Sequence, residues 1–213
     1  MQEPPDIGGL LESLGSPTQH EKGGSMARLL TCVILLAFAA TTSGAAFQNG
    51  KFDQGSVTNT CNVFDLPVGS NVITGWTVSV GTIDWESPPP CGWLARDGHH
   101  SIDLVGQACV GGIQQTFDTI PGGQYRLSFA LAGNYGAPPV IKPLAVTVNG
   151  VTTNFVFDTT GKSQFNMGWV IKNIDFVASG STSTVNFVSD VSASGPPCNA
   201  GAVIAKVRVR QAP

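Results

Sequence analysis

The sequence predicts an all-β fold, two antiparallel sheets packed face to face as a β-sandwich or jelly roll, and three observations carry that prediction. Hydrophobic residues recur with a period close to two, turn-forming residues break them into short runs, and no stretch keeps a 3.6-residue period long enough for a helix. Many short strands, each apolar on one side, bury that side by packing one sheet against another.

The strand signals can be followed along the chain. After an opening segment at 49–53, runs of period two occur at 72–80, 101–105 and 113–117. In Tyr125-Arg126-Leu127-Ser128-Phe129-Ala130-Leu131 the odd positions are large and apolar and the even ones small or polar, the pattern of a half-buried strand. Further runs lie at 144–148, 153–157, 170–176, 185–188 and 203–209. Asn149-Gly150, both residues tolerant of positive φ, predicts a hairpin. Pro121-Gly122-Gly123, Pro138-Pro139, Gly180-Ser181 and Gly195-Pro196-Pro197 mark the other breaks.

Ahead of the strands, Met26-Ala27-Arg28 is followed by an apolar run at 29–40 and by the small residues 41–46. A basic start, an apolar stretch shorter than the roughly 20 residues that span a bilayer and a small-x-small site together predict a signal peptide at 26–46. Residues 1–25, rich in Gly, Pro and Glu without apolar periodicity, are expected to be a disordered upstream extension. The domain itself is expected at 47–213, secreted to the extracellular space or cell wall, with no membrane insertion once the signal is cleaved.

The whole chain carries 11 basic and 14 acidic residues, and nine basic against ten acidic remain beyond residue 46. No run of like charge forms a basic stripe along the sequence, so no nucleic-acid or anionic-lipid partner is expected. Beyond Cys32, inside the signal, Cys61, Cys91, Cys109 and Cys198 remain, an even count that suits two disulfides in an exported domain. Three pairings are open; alternate strand directions favour Cys61 with Cys91 and Cys109 with Cys198. No two of them have the C-x-x-C spacing of a zinc site.

Several motifs then fall in a familiar order: Asn49-Gly50-Lys51-Phe52-Asp53, Ile73-Thr74-Gly75-Trp76-Thr77-Val78, Asp97-Gly98-His99-His100-Ser101-Ile102-Asp103-Leu104 and Gly112-Ile113-Gln114-Gln115-Thr116-Phe117. They are followed by 125–133, Gly168-Trp169 and a closing strand at 201–209. The chain resembles the choice-of-anchor C family, related to the plant cell-wall group called domain of unknown function 642. The resemblance implies a galactose-binding-like jelly roll, exported, with polysaccharide binding and no catalytic centre. The family's closing strand resembles G-P-x-I-D-N-V, whose Asp helps hold a structural cation in many such domains. Ala205 and Lys206 stand at the Asp and Asn positions here, and an ammonium cannot ligate a hard cation, so that site is expected to be empty. The family often continues into an anchor, whereas this sequence stops at Pro213, which favours a released protein.

An enzyme is not expected. His99 and His100 read as a solvated pair in a loop, and neither a G-x-S-x-G elbow nor an H-E-x-x-H helix is present. A glycosidase needs two carboxylates across a sugar. Asp84 with Glu86, or Asp97 with Asp103, are the nominees, but they read respectively as the wet face of a strand and as turn and structural acceptors. No metal and no cofactor is expected.

Sugar rings pack their C–H faces on flat aromatics while hydroxyls seek polar partners. Trp76 and Trp169 are expected in the core, whereas Trp85, Trp93 and Tyr135, in or beside Gly/Pro-rich loops, are the candidate platform for a polysaccharide. An extracellular protein partner and a structural matrix role are the alternatives.

Overall fold

The computed structural model describes residues 45–58, 61–97 and 99–212, all within one compact unit, Thr41–Pro213. The upstream extension and nearly all of the expected signal peptide lie outside the described residues.

The described residues form ten strands: β1 (Val63–Pro67), β2 (Thr77–Glu86), β3 (Ser101–Asp103), β4 (Val110–Asp118), β5 (Gln124–Gly133), β6 (Ile141–Val148), β7 (Val151–Asp158), β8 (Val170–Val177), β9 (Thr182–Asp190) and β10 (Ala202–Gln211). Every pairing is antiparallel. One sheet runs β7-β6-β9-β4-β2, the other β2-β3-β10-β5-β8 with β1 also on β2. Strand β2 belongs to both: Thr77 to Gly81 pair with β4, and the following residues pair with β1 and β3. The crossing turns on Gly81, at φ +56, where a Cβ would lie 1.8 Å from the Val110 carbonyl oxygen. Only glycine allows both.

The two sheets close on one apolar core. Leu127, Phe129 and Leu131 of β5 meet Val185 and Phe187 of β9 and Leu144 and Val146 of β6. The Phe129 and Phe187 rings stand edge to face with centroids 5.2 Å apart. Trp76 is 1 % exposed, packs on Phe47, Phe52 and Phe187 and donates its indole N–H to the Asn49 carbonyl. Its expected place in the core is where it sits. Cys61 is bridged to Cys91 and Cys109 to Cys198.

Three elements differ from the sequence reading. The segment 49–53, a first strand by the family resemblance, is a turn: Asn49 and Phe52 have positive φ, and the Phe52 N–H donates to the Asn49 carbonyl. The Asn49 side chain ties this turn to Gln54 and Thr74, while Phe52 fills the core. The strand expected at 72–80 begins only at Thr77, because Ile73 and Trp76 point into the core from a turn. Strand β1 was missed because its alternation is blunted: Phe64 is 61 % exposed.

A candidate binding cleft of arginines

The outer face of the β10-β5-β8 sheet gathers most of the arginines of the described residues. Antiparallel register sets Arg210 opposite Arg126 and Arg126 opposite Asp175, and the next row aligns Arg208, Ser128 and Asn173. Arg126, Ser128, Asn173, Arg208 and Arg210, with Lys206, Arg96 and Gln211, line an open cleft of about 640 Å³. All four arginines beyond Arg28 are in it. The absence of a basic stripe along the sequence therefore does not hold in three dimensions. The stripe is assembled across strands that are far apart in the chain.

A single extra residue aims two of these arginines. Ala205 pairs with Ala130 and Arg208 with Ser128, so β10 spends three residues where β5 spends two. This is a β-bulge, and Lys206 within it has φ +51. Side chains alternate along a strand, so without the insertion Arg208 and Arg210 would point into the core and Val207 and Val209 outward. The bulge reverses that phase: Val207 is buried and Arg208 and Arg210 are exposed.

Partners are unevenly distributed. The Arg126 Nε and one terminal nitrogen donate to the two Asp175 oxygens at 2.6 and 2.8 Å. These hydrogen bonds hold the Arg126 pKa up and the Asp175 pKa down. Among the described residues, no carboxylate lies in ion-pair range of Arg96, Lys206, Arg208 or Arg210. Ser128 donates its hydroxyl to Asn173 Oδ1 at 2.6 Å, a bond that leaves the Asn173 amide hydrogens unspent.

An apolar shelf adjoins the cleft through Arg96. Leu94, Phe165, Met167 and Trp169 line a second depression of about 420 Å³ that shares Arg96 with the first. Phe165 is 71 % exposed. Trp169 is half-buried rather than in the core, and its indole N–H donates to the Leu94 carbonyl at 2.8 Å. The Gln164 side-chain amide donates to the Gly92 carbonyl, so the two loops forming the shelf are tied together.

The sequence-predicted platform does not form. Trp85 is 1 % exposed and donates to the Phe52 carbonyl at 2.8 Å; Trp93 is 7 % exposed and donates to Ser101 Oγ at 2.9 Å. Both rings point inward, Trp85 because it shares the core face of β2 with Ile83, and Trp93 because its loop folds over the sheet. Tyr135 is 39 % exposed and is not among the residues lining either depression.

The nominated carboxylates also differ from expectation. Asp84, Glu86 and Asp103 share the face of β2 and β3 opposite Ile83, Trp85 and Ile102, but loops cover it. Asp103 is fully buried, accepting from the Val105 and Gly201 N–H groups and the Asn134 amide. Burial raises its pKa to about 7. Burial first, then the charges of Asp103 and Asp84, raise Glu86 to about 8; burial raises Asp84 to about 6. Asp103 is the structural acceptor expected of it, while Asp84 and Glu86 are not a wet face. His99 and His100 both turn to the Asp53 carboxylate, at 2.6 and 3.1 Å. Among the described residues, no three His, Cys, Asp or Glu side chains are grouped to hold a metal ion.

TmCBM61, solved in complex with β-1,4-galactotriose, superposes with a TM-score of 0.50 at 15 % identity, covering 80 % of this chain and 100 % of its own. A family 35 carbohydrate binding module from Clostridium thermocellum gives 0.45 at 16 %, covering 72 % and 100 %. No curated protein matches the chain. The first of these likenesses shows a shared β-sandwich, jelly-roll fold. The model of the family described as protein of unknown function (DUF642) matches residues 45–210, and the chain belongs to that family.

Proposed function

We propose that the chain is a secreted, non-catalytic carbohydrate-binding domain acting on cell-wall or cell-surface polysaccharide, and that the arginine cleft with its aromatic shelf is the binding face. The observation that carries this reading is the cleft itself. It combines guanidinium, hydroxyl and amide groups with Trp169 and Phe165 at one rim, the mixture of fixed polar groups and flat apolar surface that sugars require. TmCBM61, with its bound galactotriose, supports the reading through a shared architecture. Two disulfides suit an oxidising compartment, and no helix among the described residues is long and apolar enough to cross a membrane.

The test is retention of the oxidised protein on a panel of soluble and insoluble polysaccharides. Binding to at least one class, lost in Trp169→Ala with the fold intact, is the expected result. No binding across the panel overturns the reading. A docking or matrix role is the second reading, favoured by one observation: edge strands β7 and β8 expose Val151, Val156 and Val177 by 61 to 72 %, and an apolar sheet edge invites pairing with another chain.

A further inference from the structure

We infer that the cleft selects acidic polysaccharide, a glycan bearing carboxylates at regular intervals such as a polyuronate. The inference rests on the binding face proposed above and names the chemistry it takes.

Arg96, Arg126, Lys206, Arg208 and Arg210 line one cleft with no carboxylate among its lining residues, and of these cations only Arg126 has a carboxylate partner, Asp175, among the described residues. A chain with nearly balanced charge has no general need to gather its arginines. A surface serving only solubility would intersperse signs. The register also opposes two like charges, Arg126 and Arg210, directly across a strand pair, an arrangement that works against the fold. The bulge at Lys206, a non-glycine residue at positive φ, is a second local cost. Both features turn cations toward the same space. Such departures from local consistency are expected where a ligand is bound.

The residue type narrows the ligand. Arginine presents a planar fork that meets a carboxylate with two parallel hydrogen bonds, and it does so here toward Asp175. Asp175 thus shows, within the protein, the geometry a ligand carboxylate would adopt on Arg208 or Arg210. Those two lie two residues apart on one strand, about 7 Å by strand geometry, so they suit carboxylates that recur along a polymer. Ser128, Asn173 and Gln211 stand among the arginines, where ring hydroxyls of a sugar acid find partners. A lone phosphate would leave these neutral donors unused. The Trp169 and Phe165 shelf gives one further ring a flat surface.

Nucleic acid is the competing polyanion, and the experiment separates it. Affinity of the full oxidised chain is measured by calorimetry against polygalacturonate, the same polymer fully methyl-esterified, neutral β-1,4-galactan and single-stranded DNA. The inference expects binding to polygalacturonate that weakens about tenfold or more on esterification, because each lost contact is a charge-assisted hydrogen bond. It also expects weakening as salt rises from about 0.05 to 0.5 M, where exposed charges are screened. Arg208→Gln with Arg210→Gln should reproduce the effect of esterification, while Lys51→Gln, which removes a cation elsewhere, should not. Melting curves of each variant confirm that the fold is kept.

Equal affinity for the esterified or neutral polymer overturns the inference and leaves the carbohydrate reading standing. Binding of DNA as tight as that of polygalacturonate overturns it in favour of an unselective polyanion surface. Absence of binding to every glycan removes both the inference and the reading on which it rests.

Discussion

Arg210 of β10 lies in register with Arg126 of β5, two guanidinium groups on the same face of neighbouring strands, and only Asp175 on the far side of Arg126 offsets the pair. Like charges directly opposite each other destabilise a sheet. Arg210→Gln is therefore expected to raise the urea midpoint, and Asp175→Asn to lower it. Both differences should shrink at high salt, because the groups are exposed. An unchanged midpoint in both variants would show that the guanidiniums diverge too far to interact.

The bulge sets stability against binding. Lys206 occupies the left-handed region at φ +51, which costs a non-glycine residue about 1 kcal/mol or more. Lys206→Gly is expected to stabilise the fold by up to about 1 kcal/mol while weakening acidic-glycan binding through the lost ammonium. Deleting Lys206 should do the opposite to stability, because Arg208 and Arg210 then face the core. Chemical denaturation of the two variants side by side checks this, and a deletion with native stability would refute the assigned register.

The buried carboxylates give the protein an unusual pH dependence. Asp84, Glu86 and Asp103 have folded pKa values of about 6, 8 and 7, all above the ordinary carboxylate range. An acid whose pKa rises on folding holds its proton more tightly in the native state. Stability therefore falls as pH climbs from about 4 through those folded values. Buried Lys142, which donates to the Ala137 and Ala200 carbonyls, is lowered to about 8 chiefly by burial, and relief from its charge comes only above that pH. The melting temperature is expected to be higher at pH 5 than at pH 8 by roughly 3 °C or more. Glu86→Gln should flatten that slope, mainly by raising the value at pH 8. A flat profile in the parent protein would contradict the burial of these groups.

Trp85 and Trp93 are predicted to act on stability. Trp85→Ala and Trp93→Ala each empty a core site and should cost about 3–5 kcal/mol, read from urea unfolding. Trp169→Ala, at the half-buried rim, should cost less and reduce glycan affinity. Strong loss of affinity in Trp85→Ala with unchanged stability would reverse these assignments.

The Cys109–Cys198 bridge closes a loop with a sequence separation of 89 residues and packs with Val105 and Val191 at one end of the sandwich. Replacing both cysteines by alanine is expected to cost about 2–5 kcal/mol, mostly by loosening the unfolded chain. Matched denaturation curves of the parent and the double variant measure it.

The amino-acid sequence by itself determined the all-β architecture, most of the strands, the Asn149-Gly150 hairpin and an even set of cysteines. Each of these follows from local chemistry: side-chain alternation, positive φ at a turn, a count of thiols. The strand at 63–67 escaped because its exposed Phe64 interrupts the alternation, and 49–53 read as extended because a sequence does not display the positive φ of Phe52. What only the tertiary structure decided is which groups meet. Arg126 and Arg210 are neighbours through strand order, and Arg208 and Arg210 face outward through one inserted residue. Trp93 is covered because its loop folds back over the sheet to reach Ser101. Register and loop placement are set by the whole core minimising its exposed apolar area, a sum over distant residues that no window of sequence contains.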